Sequence, residues 1–87
     1  MQNLNELMTI TAEECAELTQ VCMKIVRFGM NNEGIPKKQW LTEEAGDVYC
    51  MISMLVENGL LTWEELEERA NHKKNKLKEW SNLYDES

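Results

Sequence analysis

The stretch that divides this sequence is Phe28-Gly29-Met30-Asn31-Asn32-Glu33-Gly34-Ile35-Pro36. It contains two of the four glycines and the one proline of the 87-residue chain. Residues of these types favour turns over regular structure. A second, shorter break follows at Glu57-Asn58-Gly59. The two breaks leave three longer segments, and we predict that each is a helix, over about residues 4–27, 38–57 and 62–83.

Apolar residues recur at helical spacing in all three segments, and no segment alternates with the period of two that is typical of strands. Thr62 and Glu65 form a capping-box pattern at the start of the third helix, and Thr11 with Glu14 forms another that predicts a late start or an interruption of the first. The predicted inner faces are Leu4, Met8, Cys15, Leu18, Cys22 and Ile25 in the first helix, Ala45, Val48, Ile52 and Leu55 in the second, and Leu66, Ala70, Leu77 and Trp80 in the third.

These patterns predict the fold class. Residues 1–87 form one all-α domain of three main helices. A chain of this length buries only a modest fraction of its surface, and three such helices cannot close a large core alone. We therefore expect a helical bundle that is completed by oligomerisation, most simply as a homodimer and alternatively as a homotetramer.

The charge and hydropathy of the chain exclude several classes of protein. The net charge of −7 argues against binding of nucleic acid polymers through a broad basic surface. No apolar run approaches the roughly 18 residues of a transmembrane helix. The first six residues also lack the basic and apolar regions of a signal peptide. We expect a cytoplasmic protein that does not insert into membranes.

Sulfur and imidazole ligands are scarce in this sequence. Cys15, Cys22 and Cys50 form no C-x-x-C pair, and His72 is the one histidine. A zinc site needs more such ligands than the chain can easily supply. In a reducing cytoplasm the three cysteines are expected to be small core residues.

Two pairs of acidic residues carry the strongest chemical signal. Glu14 and Glu17 are three residues apart on the first predicted helix, and Glu44 and Asp47 are three apart on the second, so each pair projects from one side of its helix. Like charges at this spacing destabilise a helix, and a position beside apolar residues adds a desolvation cost. A cation between the pairs would offset both effects. Carboxylates are hard oxygen ligands, which favour Mg²⁺ or Mn²⁺ over zinc or copper.

The spacing by itself leaves a second interpretation open. Glutamate is a good helix former, and E-x-x-E arises often on solvated helix faces. Two pairs on separate helices, each flanked by apolar residues, are a stronger signal than one pair. The flanking residues are Ile10 and Val21 for the first pair and Leu41 and Met51 for the second.

The acidic segments resemble a known family. Glu13-Glu14-Cys15-Ala16-Glu17, followed by Glu44-Ala45-Gly46-Asp47, is similar to the E-E-x-x-E and E-x-x-D signature of MazG-like all-α nucleotide pyrophosphohydrolases. The stretch Lys24-Ile25-Val26-Arg27-Phe28-Gly29 resembles the sequence that follows the first motif in many small members. The resemblance covers about residues 10–80, and it is loosest in the third helix.

The resemblance implies an activity and roles for individual residues. Members of the family hydrolyse a nucleoside triphosphate, NTP or dNTP, between the α and β phosphates, giving a monophosphate and pyrophosphate. By this resemblance Glu14, Glu17, Glu44 and Asp47 are Mg²⁺ ligands, with Mn²⁺ as a possible substitute. Glu13 is implied as an auxiliary catalytic acid, and Gly46 as a position of close approach by a helix or ligand.

Further residues are candidates for binding the nucleotide. Basic side chains could contact the phosphates, and an aromatic ring could stack on the base. Trp40, at the end of the loop, is the first candidate for stacking, whereas Trp63 and Trp80 fit a core or dimer interface better. The basic candidates are Lys24, Arg27, Lys73 and Lys76.

Two alternative functions remain at this stage. Phosphoribosyl-ATP pyrophosphohydrolase is a relative with a similarly short chain and similar acidic motifs. A non-enzymatic acidic helical module that dimerises and binds a partner protein would use the acids only as a solvated face. The sequence leaves open the base and sugar preference, the number of metal ions and whether one site draws on one or two subunits.

Overall fold

The computed structural model describes residues 3–30 and 36–85 and contains three α-helices in that part of the chain. They are α1 (Leu4–Phe28), α2 (Lys37–Glu57) and α3 (Trp63–Trp80). The described residues include no strand, so the prediction of an all-α chain with three helices is confirmed. The predicted break at 28–36 falls between α1 and α2, with residues 31–35 outside the described residues.

Local hydrogen bonds explain where the helices begin and end. Thr62 accepts from the backbone N–H of Glu65 at 3.1 Å, and the Glu65 carboxylate accepts from the N–H of Thr62, also at 3.1 Å, so the predicted capping box is present. α3 ends at Trp80 and not near Leu83 as predicted. Ser81 is in an extended conformation, and its hydroxyl donates to the carbonyl of Leu77 at 2.6 Å.

The predicted interruption of the first helix at Thr11 is wrong. The Thr11 hydroxyl donates to the carbonyl of Leu7 at 2.7 Å, which satisfies the side chain inside a continuous helix. α1 instead runs without a break to Phe28, and the Gly29 that follows has a φ of 81°, a conformation that favours glycine. The N–H of Gly29 donates to the carbonyl of Ile25 at 2.7 Å and closes the last turn.

α1 and α2 pack against each other as an antiparallel hairpin. The N-terminal part of α1 lies beside the C-terminal part of α2, where Leu7 and Met54 line one groove, and Lys24 near the end of α1 meets Trp40 near the start of α2. The buried apolar residues of the described chain are Leu7, Val21 and Met51, of which Val21 is fully buried.

The face of α1 that packs differs from the predicted one. Leu4 and Met8 are exposed, as are all three cysteines, which are free thiols. The expectation that the cysteines are core residues is therefore wrong for the single chain. Of the predicted face, Leu18 and Ile25 are half-buried as expected, and the other apolar residues of α1 that are withdrawn from solvent are Leu7, Ile10 and Val21. On α2 the predicted Val48, Ile52 and Leu55 are half-buried, whereas Ala45 is exposed.

α3 makes almost no contact with the hairpin and has no buried residue. Its first residue, Trp63, stacks on Tyr49 of α2 with ring centroids 5.9 Å apart. The radius of gyration is 15.8 Å, compared with about 12 Å for a compact domain of this length. The chain is thus an open arrangement of a hairpin and a projecting helix. Among the described helices, none is both long and apolar enough to cross a bilayer.

Candidate metal centre

The hairpin brings the two predicted acidic pairs together. Glu14 and Glu17 of α1 and Glu44 and Asp47 of α2 each offer a carboxylate oxygen, and these four oxygens lie within 4.8 Å of one another. The antiparallel packing places the middle of α1 opposite the middle of α2, and the i, i+3 spacing then turns both members of each pair toward the same point. We refer to these four residues as the carboxylate cluster.

The cluster is partly withdrawn from water. Glu14 and Glu44 are half-buried, whereas Glu17 and Asp47 are exposed. One oxygen each of Glu14 and Glu44 (Oε2 in both) is buried and has no hydrogen-bond partner. A buried oxygen without a partner is costly, and such atoms in a folded protein often mark the position of a ligand or an ion. The two oxygens are therefore available to a cation.

The surroundings of the cluster oppose ionisation of its two half-buried acids. Burial raises the pKa of Glu14 above its ordinary value, and the negative charges of Glu17, Asp47 and Glu44 raise it further. Burial also raises the pKa of Glu44, together with hydrogen bonding to Glu17 and the charges of Glu17 and Asp47. The largest influences on both pKa values are burial and the neighbouring acids. The cluster is thus a concentration of negative charge.

Trp40 connects the cluster to a neighbouring pocket. Its side chain partly lowers the pKa of Glu44. The Lys24 ammonium lies over the Trp40 ring, with Nζ 5.2 Å from the ring centroid. A pocket of about 260 Å³ adjoins the same tryptophan and is lined by Pro36, Gln39, Trp40 and Glu43. The Gln39 amide donates to the Glu43 carboxylate at 3.2 Å, which fixes one polar edge of this pocket.

The other predicted site residues lie apart from the cluster. Glu13 is exposed and is not among the four clustered acids. Arg27 lies over the ring of its neighbour Phe28 at 5.7 Å. Lys73 lies over Trp80 on α3 at 4.8 Å, and Lys76 is exposed on the same helix. Within one chain, Trp40 adjoins Glu44 of the cluster and Lys24 lies over Trp40, whereas Lys73 lies over Trp80 of its own helix.

Gly46 meets no close neighbour in this chain. A Cβ atom built on it would have no atom within 4 Å among the described residues. The tight helix packing that a glycine permits is therefore not present at this position within the single chain. The close approach of a ligand, or of a helix from outside this chain, to Gly46 stays a prediction.

Two features of the site escaped the sequence-based reasoning. One is the contact between Lys24 and Trp40, and the other is the polar edge formed by Gln39 and Glu43. A signal for the first was present, since Trp40 lies four residues before Glu44 and Lys24 lies seven after Glu17, so each shares a face with the acid. Joining the two faces requires the alignment of α1 with α2.

Four oxygen donors at this separation define what the site can do chemically. They form an all-carboxylate set of the kind that suits a hard divalent cation. The chain is therefore an all-α protein with an acidic cluster able to hold a metal ion. Comparison of the chain with protein-family models, with curated proteins and with solved structures finds no match.

Proposed function

We propose that this protein is a Mg²⁺-dependent pyrophosphohydrolase that cleaves an NTP or dNTP between the α and β phosphates. The observation that carries the proposal is the convergence of four carboxylates from two helices, with two buried oxygens that lack partners. The acidic motifs that resemble the MazG-like family are the same residues that converge. Geometry and motif therefore point to the same site.

Each cluster residue has a distinct part in binding the ion. Glu14 and Glu44, half-buried and fixed by the hairpin, offer the oxygens that have no other partner. Glu17 and Asp47 face solvent, which is the side from which a nucleotide would arrive. When bound, Mg²⁺ would neutralise charge on the phosphates and lower the pKa of a water molecule that attacks them. Mn²⁺, which prefers similar ligands, is expected to substitute.

The residues beside the cluster suit a nucleotide. Lys24 carries its charge over the Trp40 ring, where it can attract a phosphate. The pocket beside Trp40 is concave, and an indole offers a flat surface on which a base can stack. Arg27, Lys73, Lys76 and Glu13 remain proposed auxiliary residues that one chain does not bring to the cluster. A cytoplasmic location is proposed with this function.

Release of pyrophosphate is the direct test of the activity. A panel of NTPs, dNTPs and phosphoribosyl-ATP is incubated with the protein and Mg²⁺, and pyrophosphate and monophosphate are quantified. We expect equal amounts of both products from at least one nucleotide and none after chelation of the metal. Hydrolysis confined to phosphoribosyl-ATP would point to the alternative enzyme. The absence of any metal-dependent product would contradict the proposal.

Trp40 is expected to determine affinity for the nucleotide. Stacking of a base on an aromatic side chain contributes roughly 1–3 kcal/mol, so Trp40→Leu should raise KM by about tenfold or more. Trp40→Phe keeps an aromatic stacking surface, so it should raise KM much less. Steady-state kinetics on the best substrate measures both values.

Phe28→Leu is the matched control for the tryptophan, because Phe28 is an exposed aromatic outside the pocket. It should leave KM unchanged. An increase in KM with Phe28→Leu and none with Trp40→Leu would mean that the base stacks on Phe28 and not on Trp40.

The non-enzymatic module stays as a second candidate because of one observation. α3 is a charged helix with no buried residue and is open to a partner. A protein that shows no heat of binding with Mg²⁺ or Mn²⁺ in calorimetry, and no nucleotide hydrolysis, would favour this alternative.

A further inference from the structure

The pocket beside Trp40 has the size of a base and not of a whole nucleotide. Its volume is about 260 Å³, whereas pockets that enclose a complete small ligand measure about 300–1,000 Å³. Trp40 lies four residues before Glu44 of the carboxylate cluster, which is one helical turn, or about 5 Å along the helix axis. A base in the pocket would therefore leave its sugar and phosphates free to extend toward the cluster.

Part of the Trp40 indole is open to this pocket. The Lys24 ammonium lies over the ring, with Nζ 5.2 Å from its centroid. Among the described residues, the pocket is lined by Pro36, Gln39, Trp40 and Glu43, and Lys24 is not one of them. The pocket thus borders a part of the indole that Lys24 leaves uncovered. A planar base can stack on that part.

Two polar side chains, Gln39 and Glu43, lie one helical turn apart at the edge of the pocket. The amide nitrogen of Gln39 donates to Oε1 of Glu43 at 3.2 Å. An ionised carboxylate only accepts hydrogen bonds, so this contact turns the NH₂ group of Gln39, and not its oxygen, toward Glu43. The edge then presents three groups in order, which are the two acceptor oxygens of Glu43 and the second N–H of Gln39. Both side chains are exposed, so a ligand can reach them.

Guanine is the common base whose edge matches this order. Its Watson–Crick edge carries two adjacent donors, N2–H and N1–H, followed by the acceptor O6, so it can form all three hydrogen bonds. Adenine and cytosine carry one donor beside an acceptor and can form two. Thymine and uracil also form two, but their O2 then faces a carboxylate oxygen and is repelled by it. A site that hydrogen-bonds its ligand discriminates against bases that leave its polar groups unpaired.

We propose that the pocket beside Trp40 selects guanine nucleotides, with Glu43 as the acceptor for N2–H and N1–H and Gln39 as the donor to O6. Hydrogen bonds to a charged acceptor are roughly twice as strong as neutral ones, so Glu43 is the main determinant of the choice. The inference rests on the proposed function for the position of the phosphates at the carboxylate cluster. The substrate class is then GTP, dGTP and analogues that keep this base edge.

Inosine nucleotides test the assignment of Glu43, because hypoxanthine is guanine without the 2-amino group. The wild-type kcat/KM for dGTP should exceed that for dITP by about tenfold or more, which is the effect of one hydrogen bond to a charged group. Glu43→Gln keeps one acceptor for N1–H and replaces the second acceptor with an NH₂ group. The ratio of the two kcat/KM values should therefore fall to about 1, chiefly through lost activity on dGTP.

Two further variants complete this test, and circular dichroism verifies that all of them stay helical. Glu57→Gln removes the same charge at the other end of α2 and should leave the ratio unchanged. Gln39→Leu should lower kcat/KM for dGTP and dITP alike, because both bases carry O6. A wild-type ratio near unity would overturn the proposal. Equal loss of activity on both nucleotides in Glu43→Gln would also overturn it, since Glu43 would then serve the adjacent metal centre and not the base.

A binding measurement separates this proposal from the proposed hydrolysis. The α,β-imido analogues of dGTP and dITP, in which the bond to be cleaved is replaced, are titrated into the protein with Mg²⁺ in a calorimeter. We expect the guanine analogue to bind about tenfold more tightly and Glu43→Gln to remove the difference. That result without pyrophosphate release from any nucleotide would refute the hydrolysis and support the base assignment. Hydrolysis of all bases with equal kcat/KM, or equal binding of both analogues, would refute the base assignment alone.

Discussion

Glu44→Gln is expected to abolish metal-dependent pyrophosphate release while it stabilises the metal-free protein at neutral pH. Changes to groups that only support a metal ligand cost about 10- to 100-fold in activity or metal affinity, so loss of a ligand should cost about 100-fold or more. The stability of the metal-free variant, in contrast, should increase. Glu44 is half-buried among three other acids, which raises its pKa, and a neutral amide in its place removes that unfavourable charge.

The two readouts together separate a functional role from a structural one. Activity is measured as pyrophosphate released per minute, and stability as the thermal midpoint without metal at pH 7.5. Glu57→Gln is the matched control, because Glu57 ends α2 and lies outside the cluster. It should change neither quantity greatly. A Glu44→Gln protein that is inactive and also less stable than the wild type would mean that Glu44 acts mainly in folding.

The three helices were predictable from the sequence, and so were those of their ends that have a clear local signal. Gly29 supplies a positive φ at the end of α1, and the Thr62–Glu65 capping box starts α3. The packing face of α1 was not predictable in the same way. Its apolar residues are spread around the helix, so Leu4 and Met8 fit a continuous face as well as Leu7 and Ile10 do. Only contact with α2 selects between the two faces.

The same distinction applies to the site. Spacing along one helix was sufficient to predict that Glu14 lies beside Glu17 and that Glu44 lies beside Asp47. The approach of one pair to the other, and of Lys24 to Trp40, depends on how far α1 is shifted along α2. That alignment is a property of tertiary packing, which sequence periodicity does not encode. The α3 lysines stay apart from the cluster because α3 hardly contacts the hairpin of its own chain.

The cluster also shows how a site can oppose the stability of its own fold. Glu14 and Glu44 occupy positions on the face between the helices where an apolar residue would pack without any desolvation cost. In the metal-free chain their negative charges repel one another. Such a conflict between local choice and fold is expected at functional positions. It also makes the stability of the protein sensitive to pH and to cations.

A divalent cation should reverse the pH dependence of stability. Because the pKa values of Glu14 and Glu44 are raised in the folded chain, the native state binds protons more readily than the unfolded state. The stability that these two groups contribute is fully present below pH 4.5, the ordinary pKa of a glutamate. It is lost as the pH rises through their raised pKa values. The metal-free thermal midpoint should therefore fall, through these two groups, as pH increases from about 4.5 toward neutrality.

With Mn²⁺ or Mg²⁺ bound, the thermal midpoint should instead rise with pH. The cation binds the ionised carboxylates, so the stabilisation that it gives grows as they lose their protons. At a metal concentration 100 times Kd the gain is about 2.7 kcal/mol, or roughly 10–20 °C for a domain of this size. Midpoints are compared at one protein concentration, since any self-association would also affect them. The Glu17→Gln/Glu44→Gln double variant should lose most of the shift with metal. An equal shift in that variant would place the cation elsewhere, because only the cluster acids differ between the two proteins.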